Sequence, residues 1–137
     1  MQVQDVMTSE VTSISIDAPV KEAIEFFEKT GRRHLPVLDE AEKVVGILSD
    51  RDRRTIELTI DTFTDTGYQQ QILESPVKNV MKREVISVFP DTNLAEAAKM
   101  LVDMKLGALP VISKQKLIGI VSYVDVLNAF SASLSGL

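Results

Sequence analysis

The sequence states one unit twice. Asp5-Val6-Met7 recurs as Asn79-Val80-Met81, Leu35-Pro36-Val37-Leu38 as Leu109-Pro110-Val111-Ile112, and Gly46-Ile47-Leu48-Ser49 as Gly119-Ile120-Val121-Ser122. The offset is 74 positions through the Leu-Pro-Val run and 73 at the glycine, so the first copy carries one extra residue in the turn between them. Two weakly similar copies of one unit usually pack about a pseudo-twofold axis, which leaves paired, near-equivalent clefts. The repeat therefore constrains the fold and points to candidate sites at once.

Each copy reads as β-α-β-β-α. A short amphipathic opening (Val3 to Met7; Val77 to Met81) leads to a brief strand, Ser13 to Ile16 or Ile86 to Val88. A turn with Asp17-Ala18-Pro19 or Asp91-Thr92-Asn93 follows; Asp and Asn can accept from free helix amides, and Pro19 suits a first helical turn. Val20, Ala23, Ile24 and Phe27, matched by Leu94, Ala97, Ala98 and Leu101, recur at helical spacing, and Ile24, Phe27, Leu94 and Leu101 are assigned to the core. Gly31 is placed to end the first helix. Pro36 and Pro110 cannot donate to a ladder and are expected at strand starts or edges. Val44 to Leu48 and Leu117 to Val121 complete hairpins, after which Ser49 and Ser122 open the last helices, the second carrying Val124, Leu127, Ala129 and Phe130. The expected organisation is a first repeat over residues 1–57, a polar, turn-rich linker over 58–75 that is flexible at Asp65 to Gly67, a second repeat over 76–131, and a frayed tail over 132–137.

Composition narrows the function classes. A chain of 137 residues with 45% hydrophobic and 26% charged residues suits an ordinary α/β globular protein. There are no cysteines, so disulfide and thiolate chemistry are excluded. No apolar run reaches the ~20 residues of a membrane helix, no signal peptide is expected from Met-Gln-Val-Gln-Asp-Val, and a cytoplasmic location fits. The net charge of −5 argues against broad nucleic-acid binding. Basic residues nevertheless cluster at Arg32-Arg33-His34 and at Arg51, Arg53 and Arg54, a distribution that suits a small anion better than a polymer.

The Leu-Pro-Val run, the Gly-apolar-apolar-Ser strand end and the doubled Ser-x-x-Asp (Ser49 to Asp52; Ser122 to Asp125) resemble the cystathionine-β-synthase (CBS) domain family, in which a tandem pair is called a Bateman module. The resemblance covers roughly residues 1–57 and 76–131. Arg33-His34-Leu35-Pro36-Val37 with Ser49-Asp50-Arg51-Asp52 is similar to stand-alone CBS-pair proteins and to the CBS portion of acetoin-utilisation proteins, whose usual extra C-terminal domain is not expected here. The resemblance implies a regulatory module, not an enzyme, that binds AMP, ADP, ATP, S-adenosylmethionine or related nucleosides in clefts combining both copies. It implies that Asp52 and Asp125 hold ribose hydroxyls, and that Ser49, Ser122 and the basic residues near the Leu-Pro run reach phosphates. The segments after each Met (Thr8 to Val11; Lys82 to Val85) and the small residues Gly107 and Ala108 would contact the base, beside Pro36 and Pro110. CBS pairs commonly dimerise through helical faces, and the helix ending near Phe130 is a candidate for a homodimer.

The residues permit a second account of the same positions. Asp52 and Asp125 fall in a first helical turn, where a carboxylate can take a ribose diol or simply complement the helix dipole while Ser49 and Ser122 cap the helix. Arg33, His34 and Arg51 are candidates for phosphate contact near a helix N-terminus, or members of a solvated face in which Arg51 and Arg53 pair with Asp50 or Asp52. His34, the single histidine, has no metal-ligand partners in sequence. Gly107-Ala108 replace Arg33-His34 in the second copy, and Val124 replaces Arg51. The expectation is two unequal clefts: one at Asp52, with Lys82 to Val85 and Gly107-Ala108, suited to phosphate; another at Asp125, facing Thr8 to Val11, suited to an uncharged nucleoside. No Gly-rich phosphate loop, zinc-binding spacing or nucleophile–base set is readable, so no catalytic cofactor is expected; magnesium could accompany ATP. The rival reading is a dimerisation module, or one docking a target protein, with degenerate clefts.

Overall fold

The computed structural model describes residues 1–136, and Leu137, the last residue of the expected tail, lies outside them. Contacts divide the chain into two compact units whose limits do not coincide with the sequence copies: Thr12–Glu84 forms one, and Met1–Val11 with Val85–Leu137 forms the other. We call these the continuous and the composite unit.

In the continuous unit, β1 (Ile14–Ser15), α1 (Val20–Thr30), β2 (His34–Leu38), β3 (Val44–Ser49) and α2 (Asp50–Asp61) give the expected β-α-β-β-α order. β2 is central, parallel to β1 and antiparallel to β3. Val20, Ala23 and Phe27 put the buried face of α1 at the spacing read from sequence, while Ile24 is only half-buried. Gly31 ends the helix with φ 66°, its N–H donating to the Phe27 carbonyl.

In the composite unit, α4 (Leu94–Asp103; α3 is described below), β4 (Ala108–Ser113), β5 (Lys116–Ser122) and α5 (Tyr123–Ser135) repeat the pattern. Its first strand shrinks to one parallel bridge, Val88 with Val111. Here Asn93 caps the helix, its Oδ1 accepting from Ala95 N–H at 2.8 Å. In the continuous unit the N-cap is Pro19 itself, one position before the first turn, and no side chain caps α1.

The openings of the two copies are exchanged between units. Val3, from the first copy, is fully buried in the composite core with Leu109, Val111 and Val121; Val77, from the second, is fully buried in the continuous core with Phe27, Leu35 and Leu48. Backbone bonds seat each opening on its host helix: Val20 N–H donates to Ser75 O at 2.8 Å, and Leu94 N–H to Met1 O at 2.9 Å. These bonds satisfy first-turn donors that would otherwise be orphaned.

Residues 58–75, expected as a polar linker, are largely helical. The second helix of the first copy continues to Asp61, and α3 spans Thr66–Glu74. Asp65 caps α3 through Gly67 N–H at 2.7 Å, Gln69 Nε2 donates to Phe63 O at 2.7 Å, and Lys21 of α1 pairs with Glu74 at 2.8 Å. Polar composition concealed a helix held by caps and neighbours instead of a strong apolar stripe. α5 likewise runs to Ser135, through the segment expected to fray.

Pro36 and Pro110, expected at strand starts or edges, stand third in their strands; Pro36 lies in the central strand β2, whereas Pro110 lies in β4 of a two-stranded sheet and so on an edge strand. The Pro110 carbonyl accepts from Val88, so the place of its missing N–H lies on that side, away from β5. The first-strand pairing is too short to require that donor, which lets a proline sit inside the strand.

Candidate functional site

In each unit the hairpin ends where a helix begins, and the Ser-x-x-Asp motif forms that junction. Ser49 Oγ accepts from Asp52 N–H at 3.1 Å while Asp52 Oδ2 accepts from Ser49 N–H at 2.9 Å. Ser122 and Asp125 repeat the reciprocal bonds at 3.3 and 2.8 Å, and Ser122 Oγ also donates to Asp125 Oδ2 at 3.1 Å. Both motifs are capping boxes. The capping account is therefore correct, and it does not exhaust the carboxylates: the reciprocal bonds use Oδ2.

The exchanged opening then lies against the hairpin. Ile47 and Lys82 exchange both backbone bonds at 3.1 Å; Ile120 and Thr8 do the same at 2.9 and 2.8 Å. Glycine permits this approach. A Cβ at Gly46 would fall on Met81 Sδ and stand 3.1 Å from Lys82 O; one at Gly119 would stand 2.6 Å from Met7 Sδ and 3.0 Å from Thr8 O. The sequence reading missed this Gly–Met pairing, although both residues recur in the two copies.

In the continuous unit this brings together Lys82, Asp52 and Ser49, with Lys82 Nζ 3.8 Å from Asp52 Oδ1. His34, half-buried, pairs with Ser49 in the β2–β3 register, and Asp50 N–H donates to Arg33 O at 2.8 Å. Arg33 is exposed on the residue before β2, and Pro36 is buried behind it. The helix arginines divide. Arg53 is held by Asp50 at 2.8 Å, as the solvated-face account anticipates, and also by Glu57 at 3.0 Å, while Arg54, not part of that account, is held by Asp50 at 2.9 Å. Arg51 is exposed and forms no ion pair among the described residues. Burial pushes the Asp50 carboxyl up, but the bonds from Arg53 and Arg54 outweigh it and hold the group below its usual value. Asp50, named from sequence as a possible partner of Arg51 and Arg53, thus holds Arg53 and Arg54 and leaves the phosphate candidate Arg51 outside that network.

The composite unit keeps the backbone and loses the cations. Tyr123 N–H donates to Gly107 O at 3.1 Å, as Asp50 does to Arg33, and Ala108 pairs with Ser122 where His34 pairs with Ser49. Pro110 is buried opposite Ile120, Val124 is 40% exposed in place of Arg51, and Thr8 stands in place of Lys82. Val11 is the last residue of the opening in this unit, and Val85 is its first residue after Glu84. Val85, Gly107 and Ala108, expected with Asp52, therefore belong to the unit that holds Asp125. Among the described residues no group of three His, Cys, Asp or Glu is placed to hold a metal ion, and no helix is long and apolar enough to cross a membrane.

Comparison with known proteins agrees with this geometry. The CBS domain profile matches residues 3–55 and 77–132. The CBS domain-containing protein YhcV of Bacillus subtilis is 28% identical over 135 residues, 98% of this chain and 89% of that protein. Homoserine O-acetyltransferase of Methanococcoides burtonii is 32% identical over 125 residues, 90% of this chain, which spans only 23% of that longer protein. Among solved structures, a putative acetoin utilization protein (AcuB) of Vibrio cholerae superposes with a TM-score of 0.80 at 28% identity, covering 98% of this chain and 93% of that one. CBSX2 in complex with AMP superposes with a TM-score of 0.78 at 27% identity, covering 96% of each.

Proposed function

The chain belongs to the CBS domain family as a tandem pair, and on that premise we propose that it is a regulatory module, not an enzyme, that binds adenosine-containing ligands such as AMP, ADP, ATP or S-adenosylmethionine. One observation carries the reading. Two first-turn carboxylates, Asp52 and Asp125, are each fixed through Oδ2 to a backbone amide at the end of a hairpin. A carboxylate so oriented can accept from a vicinal diol with its second oxygen. The AMP complex of the 27% identical CBSX2 supports the ligand class. Arg33, His34, Arg51 and Lys82 make the Asp52 site the one suited to phosphate, with Mg²⁺ entering only as part of a nucleotide complex. A cytoplasmic setting and an unidentified target protein belong to the same reading.

Calorimetry with AMP, ADP, ATP and S-adenosylmethionine tests it. Binding by at least one of them is expected; no binding by any at millimolar concentration would sink the proposal. Asp52→Ala is expected to weaken a phosphorylated ligand more than Asp125→Ala does, and the opposite order would refute the inequality of the sites.

A second element of the reading is self-association. Leu127, Phe130 and Leu134 recur along α5 at helical spacing and are 57, 59 and 48% exposed, with Tyr123 and Val124 at its start. Such a stripe suits the symmetric interface of a homodimer. Light scattering should return a dimer mass, and Leu127→Glu with Phe130→Glu should return a monomer. Occupancy would then act through dimer shape, with a coupling of ~1–3 kcal/mol.

A further inference from the structure

Lys82 pairs with a motif aspartate, Asp52, and it comes from the opposite copy. Its backbone is fixed by the two bonds to Ile47, and Met81 before it lies over Gly46. From there Nζ reaches to 3.8 Å from Asp52 Oδ1, the oxygen not used in the capping box. The Lys82 side chain is 66% exposed and that of Asp52 only 20%, so the ammonium is the more solvent-accessible member of the pair. Thr8 occupies the same backbone position against Ile120, in the unit that carries Asp125.

We propose that Lys82 is the specificity-determining residue of the Asp52 site and makes that site discriminate ligands by phosphate. The inference rests on the ribose reading of Asp52 given above. A diol that takes Oδ1 competes with the ammonium for that oxygen. An uncharged nucleoside gives it no new partner, so its binding carries the loss of the ion pair. A nucleoside monophosphate brings an anion of its own, and the displaced ammonium transfers to it. The Asp125 site carries Thr8 at the position of Lys82 and so does not discriminate in this way.

The test is calorimetry of AMP and adenosine on the wild-type chain and on Lys82→Thr, which installs the residue of the other copy, with Lys82→Arg as the charge-conserving control. Removing an exposed pair of this kind should tighten adenosine by roughly 1.5- to 5-fold at the Asp52 site, and losing the phosphate contact should weaken AMP by a similar factor. The AMP-to-adenosine preference should thus fall by about an order of magnitude in Lys82→Thr and be retained in Lys82→Arg. A purely structural role for Lys82 would weaken both ligands together; that result, or an unchanged preference, overturns the inference while leaving the ribose reading intact. Wild-type protein binding neither ligand overturns the ribose reading itself, and this inference with it.

Discussion

Gly119→Ala puts the exchanged opening to a direct test, because two physical effects predict opposite signs. The backbone of Gly119 is not in the left-handed region, so alanine meets no conformational barrier. If space were free, the substitution would stabilise the chain by about 0.4–1 kcal/mol through the unfolded state. Space is not free. The new methyl would stand 2.6 Å from Met7 Sδ, 3.2 Å from Met7 Cγ and 3.0 Å from Thr8 O. Met7 packs against the core of this unit, so swinging aside costs it part of that contact. The Thr8 carbonyl cannot move without straining its bond from Ile120 at 2.9 Å. Overpacking of this kind costs about 1–3 kcal/mol, which exceeds the entropic gain, so net destabilisation is expected. Urea unfolding measures the change, and amide exchange at Ile120 locates it. A double-mutant cycle with Met7→Ala separates the causes: the methionine part of the clash is relieved, giving a coupling of about 0.5–3 kcal/mol, while the carbonyl part remains. A Gly119→Ala chain as stable as wild type or more so, with Ile120 exchange unchanged, would refute the account of how the opening is seated.

Other substitutions probe other steps. Gly31→Ala meets nothing within 4 Å yet must adopt φ 66°, so a pure conformational cost of about 1–2 kcal/mol is expected in urea unfolding, without coupling to any neighbour. Asp50→Asn removes the anchor of Arg53 and Arg54. Because the folded-state pKa of Asp50 lies below its ordinary value, its stabilisation is complete above the ordinary carboxylate range and is lost as pH falls through the depressed folded value; the gap to wild type, about 0.5–1 kcal/mol at pH 7, should close in acid, and a gap that persists unchanged would contradict the assignment. A fragment of residues 12–84 keeps Val77 in the core of the continuous unit, whereas a fragment of residues 1–57 lacks it and leaves the first-turn N–H of Val20 without the Ser75 carbonyl. Circular dichroism in urea should therefore show cooperative unfolding for residues 12–84 and none for 1–57.

Local order was legible where one residue does one job. Gly31 as a helix stop, the Val20–Ala23–Phe27 spacing, and Ser49 and Ser122 at helix starts follow from propensity and capping alone, and the structure has all three. What escaped depended on contacts between distant segments. Val3 and Val77 read as apolar positions, but nothing in a periodicity says which core receives them. Pro36 looks like a strand start or edge residue until the shortness of the first-strand pairing removes the need for its N–H. Helix α3 carries no buried residue, so its pattern was faint, although Asp65 before it is an ordinary N-cap. Among the candidate cations, the spacing of Asp50, Arg53 and Arg54 already allowed the i,i+3 and i,i+4 pairs that the structure shows.

The exchange of openings also decides how charge is distributed over the two candidate sites. Were each opening retained by its own copy, Lys82 would stand with Asp125, and Thr8 with Asp52. Each site would then hold cations, three positions from the first copy in one and a lysine in the other. Exchange places Lys82 in the unit that already carries Arg33, His34 and Arg51, and places Thr8 with Gly107, Ala108 and Val124. Differences that look scattered along the sequence are thereby gathered into one unit whose motif aspartate stands with cations and one whose motif aspartate stands with Thr8 and Val124. Coulomb attraction to a phosphate is modest for any single exposed cation but grows when several face the same anion. The proposed inequality of the two candidate sites thus follows from the chain's path through its two units as much as from the residues that differ between the copies.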